Sequence, residues 1–383
     1  MAIAVSGWSS HLSLAKETEP YIKVGILHSL SGTLATNGQS VIDGILMAID
    51  EINEQGGLLE KRLKPIISDG ASNPATFEQN AATLIGQDRV HTIFGCWSSA
   101  NRKSVKPVVE REDHLLWYPV QYEGQEQSPS IMYGGAAPNQ QILPAVQWGI
   151  QQFGKRILLV GSDYLFPRAA NRLIKSFLPH YRGHATGELY QPLGKQDFRH
   201  ILHTIKQTKP DFILNTINGD SNQGFFQSLV DANLTAHDIP VISTSIGEDE
   251  LQQIGIELTL GHYSVWNYFQ SIDSPSNRRF VANFKRRYGQ DRVTGDPIES
   301  AYSQVHLYAM AVRKAGTHSI SEIRQAAKGL IFGAPQGLIR IDPENQHTWK
   351  VTRIGRVQDN GQFTEVWKSH EPLHPNPYPM PPR

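Results

Sequence analysis

Aromatic rings and short hydroxyl side chains are concentrated in one stretch of the chain. Phe94-Gly-Cys-Trp-Ser-Ser99 follows one apolar run, and Trp117-Tyr-Pro-Val-Gln-Tyr-Glu-Gly124 ends the next. Ring faces beside hydrogen-bonding groups suit a small, flat, polar ligand. No nucleophile is paired with a base here, so bond-breaking chemistry is not predicted. The candidate ligand contacts in this stretch are Trp97, Ser98, Ser99 and Tyr118.

Ser98 and Ser99 do not have the surroundings of a catalytic serine. The Gly-x-Ser-x-Gly turn that is typical of serine hydrolases is absent around them. Two roles stay open for the pair. They can cap a helix predicted over residues 102–110, or they can offer a hydroxyl and a backbone N–H to a ligand. The two roles are compatible.

Metal and nucleotide sites are not predicted, and we expect no cofactor. The chain has 15 histidines, of which His200 and His203 lie three apart on a predicted helix without a third ligand of suitable spacing. A solvated helix face explains them better than a metal site. No dinucleotide or P-loop glycine motif occurs. The Ser29–Thr33 loop lacks the lysine and the glycine density of a phosphate loop.

Length and composition predict a globular protein with two domains or more. The chain has 383 residues, of which 39% are hydrophobic and 19% charged, and its formal net charge is +0. A neutral chain gives no electrostatic reason to bind nucleic acid, and the absence of a long apolar run gives none to expect membrane insertion. The single cysteine, Cys96, excludes an internal disulfide and is predicted to be a small buried residue. Residues 1–20 are interpreted as a disordered lead-in or the remnant of a signal peptide.

Short apolar runs alternate with helical patterns from residue 22 onward, which indicates parallel sheets covered by helices. The first series ends near Asn139 and a second series of similar design follows it. In parallel sheets, ligands lie at the carboxyl ends of the strands. Hydroxyl, amide, carboxylate or aromatic groups follow nearly every predicted strand in both series. Two units that present such edges to each other would form a cleft.

At these strand ends the sequence resembles the urea-binding proteins of bacterial ABC transporters. They belong to the branched-chain amino acid and amide branch of the periplasmic binding protein superfamily. The resemblance covers nearly the whole chain as an ordered series of short segments. Among them are Ile22-Lys-Val-Gly-Ile-Leu-His-Ser-Leu-Ser-Gly-Thr33, Phe94–Ser99, Tyr118-Pro-Val-Gln-Tyr-Glu-Gly124, Gly135-Ala-Ala-Pro-Asn-Gln-Gln141, Gly161-Ser-Asp-Tyr164 and Trp266-Asn-Tyr-Phe-Gln270, which are specific as an ordered series.

The resemblance implies an α/β fold with two lobes of the periplasmic-binding-protein type I, each a parallel sheet flanked by helices. The first lobe would hold residues 21–139 and about 270–335, the second 140–269 and about 336–370, followed by a proline-rich tail over 371–383. The family's ligand contacts fall on Trp97, Ser99, Tyr118 and Gln121 in the first lobe and on Tyr164, Phe166 and the loop with Gly247 and Glu248 in the second. Phe166 replaces a tyrosine that is usual in urea-type proteins, which removes one hydroxyl.

The implied function is capture of urea or a short-chain amide in the periplasm and delivery to the permease subunits of an ABC importer. A related cytoplasmic amide sensor, which controls an amidase operon, shares several segments and a similar proline-rich end. Trp97 and the Val120-Gln121 pair favour the urea-type protein over the sensor. An amide hydrolase is a third and more distant alternative. No covalent chemistry is implied by the resemblance.

Overall fold

The computed structural model describes residues 20–382, so most of the predicted lead-in lies outside the described residues. The first lobe is built on a parallel sheet of five strands in the order β2-β1-β3-β4-β5. Its strands are β1 (Tyr21–His28), β2 (Arg62–Asp69), β3 (Ile93–Gly95), β4 (Leu116–Tyr118) and β5 (Ile131–Tyr133). Its helices are α1 (Ala35–Glu54), α2 (Pro74–Gly86), α3 (Ser99–Arg111), α10 (Pro275–Tyr288), α11 (Asp296–Ala315) and α12 (Ile320–Ala327).

The second lobe is built on a sheet of seven strands in the order β15-β14-β10-β9-β8-β6-β7. The strands are β6 (Arg156–Ser162), β7 (His184–Gln191), β8 (Phe212–Thr216), β9 (Val241–Ser243), β10 (Tyr263–Trp266), β14 (Arg353–Val357) and β15 (Phe363–Lys368). The helices are α4 (Ile142–Gln152), α5 (Leu165–Phe177), α6 (Arg199–Thr208), α7 (Ser221–Asp231), α8 (Glu248–Ile254) and α9 (Ile256–Thr259). β6 to β10 are parallel, whereas β14 runs antiparallel to β10.

This architecture confirms the predicted two-lobed α/β fold. Local sequence explains why the elements begin where they do. The Asn73 side chain, for example, accepts hydrogen bonds from the N–H groups of Ala75 and Thr76, and Pro74 occupies the first turn of α2. The sequence patterns missed β5, β7, β10, α8, α9 and α10, which are short or only partly buried.

The chain stays in the first lobe longer than the resemblance implied. β11 (Ile331–Ala334), β12 (Gly337–Ile341) and β13 (Thr348–Trp349) form a small antiparallel sheet. Ile339 and Ile341 of β12 are buried in the hydrophobic core of the first lobe. The return to the second lobe therefore falls between β13 and β14, later than the predicted residue 336.

Three segments cross between the lobes, near Gln140, Asn267 and Val351, and one side chain joins them. Nδ2 of Asn267 donates to the carbonyl oxygens of Gln140, at 3.2 Å, and Val351, at 3.1 Å. The Thr352 hydroxyl also donates to the Gln140 carbonyl, at 2.6 Å. These bonds hold the crossing segments together as a hinge.

The proline-rich tail leads from the second lobe back to the first. After β15, the Leu373 N–H donates to the Lys350 carbonyl at 2.8 Å, and the Gln125 N–H donates to the Pro377 carbonyl at 2.7 Å. Asn345 Nδ2 donates to the Pro375 carbonyl at 3.1 Å. The tail is therefore bound along the first lobe, without a core of its own.

Three smaller expectations can be compared with the structure. Cys96 is a free and fully buried thiol, as predicted. His200 and His203 are exposed on α6, as expected of a solvated face. Within residues 20–382, no helix is both long and apolar enough to cross a membrane.

Candidate functional site

The carboxyl ends of β1, β3 and β4 in the first lobe face the carboxyl ends of β6, β8 and β9 in the second. Side-chain hydrogen bonds join the lobes along this line. Gln121 Nε2 donates to the Thr244 carbonyl at 3.0 Å, and Asn37 Nδ2 donates to Glu250 Oε1 at 2.5 Å. The lobes are therefore closed on each other, and the candidate site is the cleft between them.

The wall of the first lobe is built around Trp97 and Tyr118. Cys96, which precedes Trp97, has φ +68, a conformation that is costly for a residue with a side chain. Its N–H donates to the Leu27 carbonyl at 2.9 Å, which fixes this turn. The Tyr118 hydroxyl then donates to the Trp97 carbonyl at 3.0 Å. Trp97 and Tyr118 are 7% and 0% exposed, so both rings are held in place at successive strand ends.

Ser98 and Ser99 have different partners. Ser98 Oγ accepts from the Asn101 N–H at 3.1 Å, which makes Ser98 the N-cap of α3. The buried Ser99 hydroxyl donates to Glu123 and accepts from Arg102 NH1, the latter at 3.2 Å. Both hydroxyl groups are therefore already engaged in hydrogen bonds within the first lobe.

A buried ion network supports this wall. Arg102 is fully buried and donates to Glu126 Oε1 at 2.7 Å and to Glu123 Oε1 at 3.1 Å. Its guanidinium lies 4.9 Å from the Tyr118 ring centre. Burial opposes the charged form, but Arg102 and Lys103 together hold the pKa of Glu126 below its usual value. The positive charge of Arg102 is thus neutralised inside the protein.

Tyr164 and Phe166, two aromatic residues of the second lobe, have different surroundings. Burial raises the pKa of the Tyr164 hydroxyl well above its usual value, and nearby Tyr118 and Glu123 raise it further. Because both of these neighbours belong to the first lobe, Tyr164 faces the opposite wall. Phe166 is 3% exposed and belongs to the hydrophobic core of the second lobe, together with Ala170 and Ile174 of the same helix.

The loop after β9 brings three acidic residues to the cleft. The Gly247 N–H donates to Glu250 Oε2 at 2.7 Å, which caps α8. Glu248 is fully buried and its Oε1 accepts from the Gln270 N–H at 2.5 Å. Burial raises the pKa of Glu248 to about 8. Near pH 7 this carboxyl is therefore largely protonated.

Two oxygen atoms near the junction of the lobes have no hydrogen-bond partner within residues 20–382. They are Gln121 Oε1 and Ser245 Oγ, and their residues are 6% and 5% exposed. A buried acceptor without a partner costs about 1–3 kcal/mol. A ligand that brings N–H groups would satisfy such atoms.

Residues 22–382 match the family described as "Periplasmic binding protein domain". The chain belongs to this family. Its members are binding proteins, not enzymes, and they are typically periplasmic.

Similar proteins match along nearly the whole chain. "Leu/Ile/Val-binding protein homolog 6" of Brucella melitensis is 24% identical over 91% of this chain and 92% of its own length. A limonene hydroxylase of Geobacillus stearothermophilus is 36% identical, but the match covers only 32% of this chain and 23% of that protein. A match this short gives no indication of function.

Solved structures share the fold. A solute-binding protein of Rhodopseudomonas palustris HaA2 in complex with p-hydroxybenzoic acid has a TM-score of 0.84 at 24% identity, over 92% of this chain and 98% of that chain. LivJ of Streptococcus pneumoniae in complex with isoleucine has a TM-score of 0.81 at 21% identity, over 91% of this chain and 100% of that chain.

For this periplasmic binding protein, the predicted site residues fall into three groups. Trp97, Ser99, Tyr118 and Tyr164 come together around the cleft. Gln121, Gly247 and Glu248 lie at the junction of the lobes, where each makes a hydrogen bond within the protein. Ser98 caps a helix and Phe166 packs in the core.

Sequence reasoning missed the buried network and the contact of Asn37 with Glu250. Arg102 lies one helical turn after Ser99 and therefore shares a helix face with a predicted ligand contact. This spacing could have predicted that Arg102 lies close to the site. Asn37 and Glu250 are 213 positions apart, and no local pattern pairs them.

Proposed function

We propose that this protein captures a small, uncharged solute rich in N–H groups, urea or a short-chain amide, and delivers it to an ABC permease in the periplasm. The neutralised state of Arg102 carries the proposal. The guanidinium that supports the first wall is bound by two carboxylates, so an anionic ligand finds no free positive charge there. The unpartnered oxygens of Gln121 and Ser245 call for N–H donors instead.

Urea meets this requirement chemically. It is planar and neutral, with four N–H bonds for acceptors and one carbonyl oxygen for a donor, and a ring face of Trp97 or Tyr118 can cover it. It has only four non-hydrogen atoms, so at about 1.5 kcal/mol per atom its binding free energy is limited to about 6 kcal/mol. That limit corresponds to a Kd of roughly tens of micromolar.

Branched-chain amino acids are the second candidate, because the acidic residues of α8 favour them. A carboxylate of the Glu248–Glu250 segment is a suitable partner for an α-ammonium group, and the first turn of α3 is a suitable place for an α-carboxylate. The names of the similar proteins agree with this candidate. Aromatic acids such as p-hydroxybenzoate fit less well, since they bring a carboxylate to a cleft whose buried cation is bound by Glu123 and Glu126, and no ammonium group for the acidic residues of α8.

Calorimetric titration with urea, acetamide, leucine and p-hydroxybenzoate tests the proposal. We expect binding of urea or acetamide, and leucine binding without a response to either amide would refute it. Trp97→Ala should abolish measurable amide binding. Trp148→Ala is the matched control, because Trp148 is also 7% exposed and lies on an outer groove of the second lobe. An unchanged Kd in Trp97→Ala would remove that ring from the site.

Transport separates the importer from the cytoplasmic sensor. Purified protein should stimulate solute uptake by its permease in proteoliposomes. A protein that binds an amide but stimulates no uptake by the permease encoded beside it would favour the sensor.

A further inference from the structure

One contact across the cleft joins two residues that are not among the predicted ligand contacts. Asn37 lies in the first turn of α1, in the first lobe, and Nδ2 donates to Oε1 of Glu250 in α8 of the second lobe. Asn37 is 4% exposed and Glu250 is 6% exposed. Because the two residues belong to different lobes, this bond exists only while the lobes are closed.

Both partners are held rigidly within their own lobes. The turn that carries Asn37 rests on the loop after β1, where a Cβ at Gly38 would lie only 1.9 Å from the Ser29 carbonyl oxygen. On the opposite side, the Gly247 N–H fixes the second carboxyl oxygen of Glu250 at 2.7 Å. Neither residue can follow the other when the lobes separate, so opening breaks the bond.

The surroundings of Glu250 are strongly acidic. Its own helix contributes Glu248 and Asp249, and the first turn of α11 contributes Asp296. A Cβ at Gly295, just before α11, would lie 3.1 Å from Asp249 Oδ1, so the helix start packs directly on this carboxyl.

The cations near the cluster act on other carboxyl groups than Glu250. Lys350 and Arg353 partly oppose the effect of burial on the pKa of Asp296. On α1, Asp43 pairs with Arg292 at 2.7 Å. The segment after β10 offers Glu248 a backbone N–H, from Gln270, and no charge. Within residues 20–382, closure thus buries Glu250 beside Asp249 without a cation paired to Glu250.

We propose that Asn37 and Glu250 form a clasp that positions the closed lobes, and that closing it takes up a proton on the carboxyl group of Glu250. Asn37 is a positioning residue, since it contacts the opposite lobe and no ligand-facing side chain. The proposal rests on closure of the cleft around a solute, and it holds for an amide or an amino acid alike.

The direction of the pH effect follows from burial. Burial raises the pKa of Glu250 well above its usual value, and the charge of Asp249 and the hydrogen bond with it raise the pKa further, against the lowering effect of the Gly247 N–H. Burial likewise raises the pKa of Glu248 to about 8. In the open form these groups return to water and to pKa values of about 4.3. The closed form therefore keeps a proton that the open form releases between about pH 4.5 and 8, and closure weakens as pH rises through this window.

Two measurements on the full chain test the clasp. Small-angle X-ray scattering reports closure of the solute-free protein, and calorimetry reports the Kd for urea, acetamide and leucine, each at about pH 5.5 and about pH 8. We expect the wild type to be more closed, and to bind several-fold tighter, at the lower pH. Glu250→Gln, which cannot titrate, should lose most of this pH dependence.

Asn37→Ala should bind about tenfold more weakly than wild type at both pH values, because a hydrogen bond to a buried carboxyl is lost. Asn53→Ala is the matched control on the same helix, since the Asn53 side chain bonds only to Leu63 within the first lobe. It should leave the pH dependence unchanged.

The outcomes separate this proposal from the proposed function. An equal pH slope in wild type and Glu250→Gln, or wild-type scattering and Kd in Asn37→Ala, would overturn the clasp. Closure that depends on pH in wild type and not in Glu250→Gln supports the clasp even where urea and acetamide fail to bind, in which case only the solute is wrong.

Discussion

Replacing Arg102 by methionine should destabilise the protein strongly. The side chain is fully buried, and its loss leaves two carboxylates without this partner. Lys103 lies 2.6 Å from Glu126 and continues to neutralise it. Glu123 keeps only the Ser99 hydroxyl and becomes an uncompensated buried charge. Breaking a buried ion pair in this way costs about 3–5 kcal/mol.

Guanidinium denaturation measures this loss, since urea is a candidate ligand and cannot serve as the denaturant. The double variant Arg102→Met/Glu123→Gln should recover a large part of the stability, because the uncompensated charge is removed. Arg278→Met is the exposed control: Arg278 pairs with Asp273 at the surface, where an ion pair contributes less than about 1 kcal/mol. A loss below about 1 kcal/mol in Arg102→Met, or a double variant no more stable than the single one, would refute the reasoning.

Two further predictions concern packing and pH. Gly38→Ala should cost about 1–3 kcal/mol in thermal unfolding, because its Cβ would meet the Ser29 carbonyl oxygen at 1.9 Å. Gly86→Ala, whose Cβ would meet nothing within 4 Å, should be neutral or slightly stabilising, and equal effects of the two would contradict this account. Burial raises the pKa of Glu299 to about 7, so the folded state keeps a proton that the unfolded chain loses above about pH 4.5. Stability should therefore fall by up to about 3 kcal/mol between about pH 5 and 8, and Glu299→Gln should flatten this dependence in melting curves at both pH values.

The alternation of strands and helices could be predicted from the sequence, because buried faces leave apolar residues at spacings that differ between strands and helices. The same logic placed Trp97 and Tyr118 on one wall, since successive parallel strands end at one edge. Phe166, which the resemblance places among the ligand contacts, stays a prediction, because it is buried like Trp97 and Tyr118. Phe166, Ala170, Ile174 and Phe177 are buried on one face of α5, so helical periodicity carried the signal for the core.

Contacts between the lobes could not be predicted from local pattern. Gln121 and Thr244 are 123 positions apart in the sequence. Their hydrogen bond forms only because the hinge sets the two sheets in the observed orientation. The late return of the chain to the second lobe has a similar reason. Alternation identifies Gly337–Ile341 as a strand, but it does not say which core buries Ile339 and Ile341.

The distribution of charge argues that this cleft selects its solute by hydrogen bonding. In the first lobe the buried cation is bound by Glu123 and Glu126, so the charges there already compensate one another. In the second lobe the acidic residues of α8 exclude a carboxylate, while Glu248, protonated below about pH 8, carries no charge to attract a cation strongly. A neutral solute pays little desolvation on entry and can donate N–H groups to the open acceptors of both lobes. The proposed selection therefore depends on closure, because Gln121 and Ser245 belong to different lobes and would meet the same small ligand only when the lobes are closed.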